Sequence, residues 1–295
     1  MVGWLARAAA AAQRAGERPD LWLFGALAWL PVVGWLPLIV AVARPVSIAD
    51  LAFLGAELYG SGSYPWNVLL LSLAGAVGVI AACLLAAAGQ TGVLRGLADG
   101  AHDRSDARGW SLDLATAFGW SVMASLPLAL ALAVTGLGFV AIAPDEFTAP
   151  ASSGPLALRL GLRLAPFLLL TGAALLVSLG IGAAGIRRML GGPDESIGSA
   201  LRGALRFLRR HPARLLGSAL AVAAVNGAVL GGELALLRVL YAPIGADLDA
   251  GALLTPGAIG LLLAFVAIWL TLLLAGGALH TWSSAWWNAE LSRDG

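Results

Sequence analysis

The sequence predicts an all-α, polytopic membrane protein with six transmembrane helices, arranged as three repeated hairpins with amphipathic helices at the membrane interface. Three observations support this prediction. The chain of 295 residues is 59% hydrophobic and only 12% charged, about half the charged fraction of a soluble domain. Its apolar residues form long runs, and its basic residues lie mostly on one side of those runs. We therefore treat residues 1–295 as a single integral membrane domain.

Six apolar segments are long enough to cross a bilayer, whose hydrocarbon core of about 30 Å requires about 20 helical residues. All but the fifth are nearly free of charged residues. Pro31 and Pro37 fall within the first segment, which we expect to be kinked or partly broken because proline removes a helical N–H donor. The segments are Leu21–Ala43, Trp66–Ala88, Phe118–Ile142, Leu164–Ile186, Leu215–Leu240 and Gly257–Thr281.

The distribution of arginine predicts that both termini lie in the cytoplasm. All 18 basic residues are arginine, and 14 of them fall in segments on the same side of the membrane as the N-terminus. The other four are Arg44, Arg159, Arg163 and Arg238. Basic residues are retained on the cytoplasmic side of a membrane. The asymmetry therefore predicts a multi-pass protein of the bacterial cytoplasmic membrane.

The three helix pairs have the pattern of an internal repeat, with units at 1–100, 101–195 and 196–295. The third unit ends with Gly276 and Gly277 but lacks the arginine of the other two. Glycines at these positions predict a close approach of helix backbones. Chance similarity is the alternative explanation, because a few residue types dominate the chain. The first two units end with the same Gly-x-x-Gly-x-x-Arg pattern, in Gly89-Gln-Thr-Gly92-Val-Leu-Arg95 and Gly182-Ala-Ala-Gly185-Ile-Arg-Arg188.

The most amphipathic segment is Ser196–Arg210, where Ser196 is the predicted N-cap. An arginine-rich amphipathic helix is expected to lie on the membrane surface; docking of a cytoplasmic protein partner is the alternative. Its apolar stripe consists of Ile197, Leu201, Leu205 and Leu208. Arginines near the inner surface can pair with lipid phosphates. We predict such headgroup contacts at Arg95, Arg187, Arg188, Arg206, Arg209 and Arg210.

Polar residues within the fifth apolar segment form a candidate intramembrane site, because polar groups in a bilayer are costly and often functional. The residues are Asn226, Glu233 and Arg238. We expect Asn226 to form an interhelical hydrogen bond. Glu233 is either a proton or cation carrier of a transporter or half of a structural ion pair. For the pair, which we favour, Arg238, Arg159 or Arg163 would supply the positive charge.

No motif in the sequence identifies a reaction or a cofactor. Asp99-Gly100-Ala-His102-Asp103-Arg104, followed by Asp113, invites comparison with CDP-alcohol phosphotransferases. Two of the aspartates that those enzymes need for their metal ions are here Ala117 and Ser121, so the metal site cannot be assembled. The three histidines are scattered, and aromatic-basic interleaving is absent. We predict no cofactor, no metal and no nucleic-acid partner.

Each repeat unit consists of a basic amphipathic segment, a hairpin of two apolar segments and a glycine-rich end. This pattern resembles that of a broad group of six-helix bacterial membrane proteins of uncharacterised role. This group includes the membrane domain found beside some glycerophosphodiester phosphodiesterases. The residues that carry the resemblance are the two glycine-rich exits and Arg206-Phe-Leu-Arg-Arg-His-Pro-Ala-Arg214. In those phosphodiesterases a separate soluble barrel performs the hydrolysis. The resemblance therefore implies membrane location and fold without hydrolysis.

Our leading functional hypothesis is a non-enzymatic membrane protein that packs with, anchors or assists a lipid or a protein partner. It rests on the lack of catalytic groups and on the arginine-rich inner surface. The alternative is a small transporter or permease subunit that uses Glu233 and Asn226. An intramembrane lipid enzyme is a third hypothesis.

Overall fold

The computed structural model describes residues 2–43, 53, 57, 60–98, 107–148, 155–191, 196–249 and 255–291. Every regular element within them is helical, which confirms the predicted all-α polytopic fold. The elements are α1 (Val2–Glu17), α2 (Asp20–Trp29), a π-helical turn (Leu30–Gly34), α3 (Leu36–Val42), α4 (Trp66–Leu97), α5 (Ala107–Thr148), α6 (Leu156–Gly191), α7 (Ile197–Arg210), α8 (Pro212–Asp249) and α9 (Pro256–Leu291).

Five helices, α4, α5, α6, α8 and α9, are each long and apolar enough to cross a membrane. A sixth crossing results when α2, the π-helical turn and α3 are taken together. The long helices extend beyond the predicted apolar segments, because helical structure continues through residues that are too polar for hydropathy to mark. None of the residues in the most apolar stretch of α4 is buried by protein. That stretch is therefore free to face lipid.

The first crossing is bent by 43° where α3 begins. Pro31 lies inside the π-helical turn, and Pro37 lies in the first turn of α3. Each proline lacks the N–H that would bond a preceding carbonyl. At the bend, the indole Nε1 of Trp269 in α9 donates a hydrogen bond of 3.1 Å to the Gly34 carbonyl. The predicted kink is confirmed, and α9 supplies a hydrogen-bond donor to it.

The chain divides into two compact units. Unit 1 comprises Met1–Leu114 and Val225–Ala289, and unit 2 comprises Ala115–Ala224 and Glu290–Gly295. The single membrane domain and the three sequence repeats stay predictions.

Glycine allows backbone contact on two sides of α2 in unit 1. A methyl group at Gly89 of α4 would overlap the backbone nitrogen of Ala28. A methyl group at Gly277 of α9 would overlap the carbonyl oxygen of Trp22, and one at Gly25 of α2 would overlap the carbonyl of Gly277. Small residues permit such close helix packing in membranes. The structure confirms the predicted close approach at the ends of the first and third repeat units.

In unit 2, the corresponding glycines of α6 accommodate a tryptophan instead of a backbone. Trp120 of α5 is 1% exposed. Its ring occupies the space that a side chain at Gly185 would need, and its Nε1 donates a hydrogen bond of 2.9 Å to the Gly182 carbonyl. Farther along the same two helices, the hydroxyls of Thr135 and Thr171 are 2.8 Å apart. Interhelical hydrogen bonds of this kind add to van der Waals packing between membrane helices.

Replacement of Gly89 by alanine should destabilise the protein. The added methyl group overlaps the α2 backbone, and overpacking of this kind costs about 1–3 kcal/mol. Unfolding in detergent micelles, followed by circular dichroism, would measure the loss. Gly75→Ala in the same helix is the matched control, because a side chain there meets no atom within 4 Å. Equal stability of the two variants would contradict the proposed backbone contact.

Candidate functional site

Helix α7 is fixed at both ends. The Ser196 hydroxyl accepts a hydrogen bond of 3.2 Å from the Ser199 backbone N–H, which confirms the predicted N-cap. At the other end, the Phe207 ring lies 5.4 Å from the His211 ring. The Arg214 guanidinium is 5.9 Å from the centre of the Phe207 ring, within the range of a cation–π interaction. These contacts define where α7 begins and how its C-terminal end meets the start of α8.

Three kinds of residue divide the surface of α7 into three faces. The face packed within unit 2 consists of small residues and one aromatic residue: Ala200, Gly203, Ala204 and Phe207. The predicted apolar stripe lies on a second face, where Ile197 is 39% and Leu205 is 38% exposed. The third face carries the arginines. At 3.6 residues per turn, the centres of the three faces lie roughly 120° apart. Leu201 and Leu208 are half-buried. The stripe is thus only partly covered by protein, which leaves apolar surface for a helix lying on a membrane.

We call the basic surface of unit 2 the arginine face and define it as Arg188, Arg202, Arg206, Arg209 and Arg210. All five side chains are exposed. The Arg188 guanidinium, at the end of α6, lies against Gly203 of α7, where an added side chain would collide with it. The guanidinium groups of Arg206, Arg209 and Arg210 have no hydrogen bond or ion pair with any residue that the structure describes. This surface therefore presents positive charge that the described protein does not neutralise.

Two arginines that the sequence predicted as headgroup contacts have protein partners instead. In unit 1, Arg95 at the end of α4 forms an ion pair with Asp113 of α5, with 2.6 Å between Nη2 and Oδ2. In unit 2, Arg187 donates a hydrogen bond of 2.9 Å to the Ala183 carbonyl one turn earlier in α6. We therefore leave Arg95 and Arg187 out of the arginine face. Arg188, Arg206, Arg209 and Arg210 retain the exposure that headgroup binding needs.

The predicted intramembrane polar residues of α8 lie in unit 1. Glu233 is 5% exposed. Its Oε1 atom and the Oδ1 atom of Asn226 are buried, and neither has a hydrogen-bond partner among the described residues. The two residues are seven positions apart, and two helical turns bring them to the same face. Arg238 is exposed and makes no ion pair with Glu233. The favoured ion pair of Glu233 is therefore not formed within the described chain, nor is the expected bond of Asn226 Oδ1.

Two buried carboxylates that sequence reasoning missed do pair with arginine, both in unit 2. Glu146, near the end of α5, lies 2.8 Å from Arg159 and 2.8 Å from Arg163 of α6. Glu290, at the end of α9, lies 3.0 Å from Arg214 of α8. Arg159 and Arg163 had been candidates to pair with Glu233. The available sequence signal was a glutamate at one edge of an apolar segment and arginines at the start of the next.

The acidic loop compared with phosphotransferases is only partly described. Residues 99–106 lie outside the described residues, and Asp113 is occupied by its ion pair with Arg95. Across the ranges that the structure does describe, no group of three or more His, Cys, Asp and Glu side chains could hold a metal ion.

No protein-family model, curated protein or solved structure matches this chain. The two candidate sites of the chain are the arginine face in unit 2 and Glu233 in unit 1.

Removing Glu146 alone should be worse than removing it together with Arg159. Glu146→Leu leaves the Arg159 guanidinium, which is 18% exposed, without its carboxylate, whereas Glu146→Leu with Arg159→Leu removes both charges. Arg163 is 56% exposed and can turn to water in either variant. We expect the single variant to be less stable by about 1–3 kcal/mol. Guanidinium chloride unfolding of both variants in micelles would measure the difference; a double variant that is no more stable than Glu146→Leu would refute the coupling.

Proposed function

We propose that this chain is a non-enzymatic, multi-pass protein of the bacterial cytoplasmic membrane that binds anionic lipid headgroups through its arginine face. The observation that carries this proposal is the three-way division of α7. One face is packed within unit 2, the second is an apolar stripe that protein covers only in part, and the third presents the guanidinium groups of Arg206, Arg209 and Arg210, which have no described protein partner.

The chemistry of the arginine face suits phosphate. A guanidinium group offers several N–H donors in a plane and remains charged at any physiological pH, so it bonds two phosphate oxygens at once. A basic residue close to an anionic membrane surface contributes about 1 kcal/mol to binding. The apolar stripe adds burial among the upper acyl chains. Together the two faces match the boundary between headgroups and hydrocarbon.

A lipid fits these faces better than a soluble protein partner. A protein docked on the arginines would need carboxylates, but it would leave the adjacent stripe of Ile197, Leu201, Leu205 and Leu208 without an apolar environment. With the cytoplasmic orientation predicted from the arginine distribution, the face meets the inner leaflet. A role as a scaffold that holds such lipids near other membrane components follows from this placement.

Neutralising the arginine face should weaken the binding of anionic lipid. For Arg206→Gln with Arg209→Gln and Arg210→Gln, we expect about a hundredfold loss of affinity for phosphatidylglycerol, at about 1 kcal/mol for each arginine. Native mass spectrometry of the detergent-solubilised protein, titrated with this lipid, would measure the affinity. Added salt should weaken binding to the unmodified protein, because salt screens charge at exposed sites.

The matched control for this titration is Arg238→Gln, which removes an exposed arginine that lies outside the arginine face. It should bind phosphatidylglycerol as tightly as the unmodified protein. Phosphatidylcholine, which carries no net charge, should bind the control variant and the triple variant equally weakly. Loss of affinity in the control equal to that of the triple variant would reject the arginine face as the site.

Transport is a second candidate function, favoured by the break in the first crossing and by the buried Glu233 of α8, which has no partner among the described residues. Discontinuous helices and membrane-depth carboxylates are common at the binding sites of transporters. Proteoliposomes that contain the purified protein and a pH-sensitive dye test this candidate. A proton flux that Glu233→Gln abolishes would favour transport over the scaffold role; folded yield should be unchanged in that variant.

A further inference from the structure

Three buried glutamates in the described chain have nearly the same exposure but different surroundings. Glu146 is 4% exposed, Glu233 5% and Glu290 3%. Arginine side chains lie within 3.0 Å of Glu146 and Glu290. Glu233 has no such partner among the described residues, and its Oε1 atom is buried without a hydrogen bond. Burial of an ionised carboxylate is expensive unless a cation or several donors compensate it.

The described helices packed around this part of α8 supply no compensating charge. One turn after Glu233, Leu237 is fully buried in an apolar cluster with Ala41 of α3 and Phe265 of α9. Helix α3 carries no charged residue, nor does α9 between Pro256 and Leu279. Tyr241 is the titratable residue at the edge of the same cluster, with its ring 5.7 Å from that of Phe265.

The described arginines of α8 and α4 do not pair with Glu233 either. Arg238, five positions along α8, is turned about 140° away by the helical repeat and is exposed. Arg95, the one basic residue of α4, is held by Asp113. In α2, Asp20 at the first residue is the only charged group, and it would repel a carboxylate.

The break in the first crossing lies next to the apolar cluster that contains Leu237. Trp269 lies one turn from Phe265 along α9, and its indole bonds the Gly34 carbonyl at the bend. Glu233 lies one turn from Leu237 along α8. Each step is about 6 Å along its helix axis. Trp269 also packs on the apolar cluster that contains Leu237.

We propose that the Glu233 carboxyl is an intramembrane proton-binding site, which holds its proton as the neutral acid and exchanges it with water. Its ligand is the proton and not a metal cation, because one carboxylate with one amide oxygen two turns away provides too few oxygens for a dehydrated cation. This inference does not depend on lipid binding at the arginine face. It specifies that Glu233, the residue on which the transport candidate rests, is protonated.

A hydrophobic carbodiimide tests the proposal on the unmodified protein in liposomes. Dicyclohexylcarbodiimide partitions into the membrane and reacts with a carboxylic acid: the acid proton moves to one nitrogen, and the carboxyl oxygen bonds the central carbon. The adduct then rearranges to a stable N-acylurea. Peptide mass spectrometry locates this product residue by residue. We expect on the order of tenfold more adduct on Glu233 than on Glu146 or Glu290, because each of those two carboxylates is ion-paired with arginine.

The pH and cation dependence of labelling decides what the site binds. Labelling of Glu233 should fall as the pH is raised, because the reaction consumes the protonated acid. Sodium or potassium at fixed pH should leave it unchanged, and protection by either ion would overturn the proton assignment in favour of a cation site. Absence of an adduct on Glu233, or equal adducts on Glu146 and Glu290, would also overturn it.

Infrared spectroscopy provides a second readout that needs no reagent. The difference spectrum between neutral and alkaline pH, at both of which exposed carboxylates are ionised, should contain the C=O stretching band of a carboxylic acid. Glu233→Gln should remove this band, and Glu146→Gln should leave it in place. A band that persists in Glu233→Gln would assign the proton to another residue. Neither readout requires proton flux. Labelling and the infrared band would therefore show proton binding by Glu233 even if the protein transports nothing, and their absence would reject proton binding whatever the result of the flux assay.

Discussion

Contact between helix backbones, made possible by glycine, organises unit 1. Gly89 of α4 and Gly277 of α9 both face α2, and each would collide with the α2 backbone if it carried a side chain. Lipid tails are as apolar as leucine, so hydrophobicity alone gives membrane helices little reason to associate. Close van der Waals contact must supply the attraction, and only the smallest residues permit it. Placement of α2 between α4 and α9 in turn fixes the direction from which the first crossing bends into α3.

The bend and the polar groups follow from that arrangement. The bend frees carbonyl oxygens, and α9 satisfies the one at Gly34 through the Trp269 indole. The same stretch of α9 packs with α3 and α8 around Leu237, one turn from Glu233. Unit 1 therefore satisfies the freed carbonyl of Gly34, whereas the buried carboxylate of Glu233 has no ion pair with any residue that the structure describes. In unit 2, by contrast, the buried carboxylates Glu146 and Glu290 both have arginine partners.

Much of the candidate lipid site could be predicted from sequence, because interfacial helices have a strong local signature. The arginines, the apolar stripe and the Ser196 cap of α7 all follow from helical periodicity. Its packed face could not be predicted, because Ala200, Gly203 and Ala204 carry little hydropathy and matter only through the surface they meet. The partners of Arg95 and Glu146 lie on neighbouring helices, and periodicity within one segment does not indicate such pairs.

The sequence by itself determined the all-α class, the membrane-crossing segments and the kink in the first one. Those features depend on hydropathy and on proline, which act over a single helix. Only the tertiary structure decided which charges are neutralised. Arg159 and Arg163 serve Glu146, Arg95 serves Asp113, and Glu233 has no described partner. Electrostatic pairing depends on separations of a few ångströms between side chains of different helices. The sequence pattern of a single helix does not determine those distances.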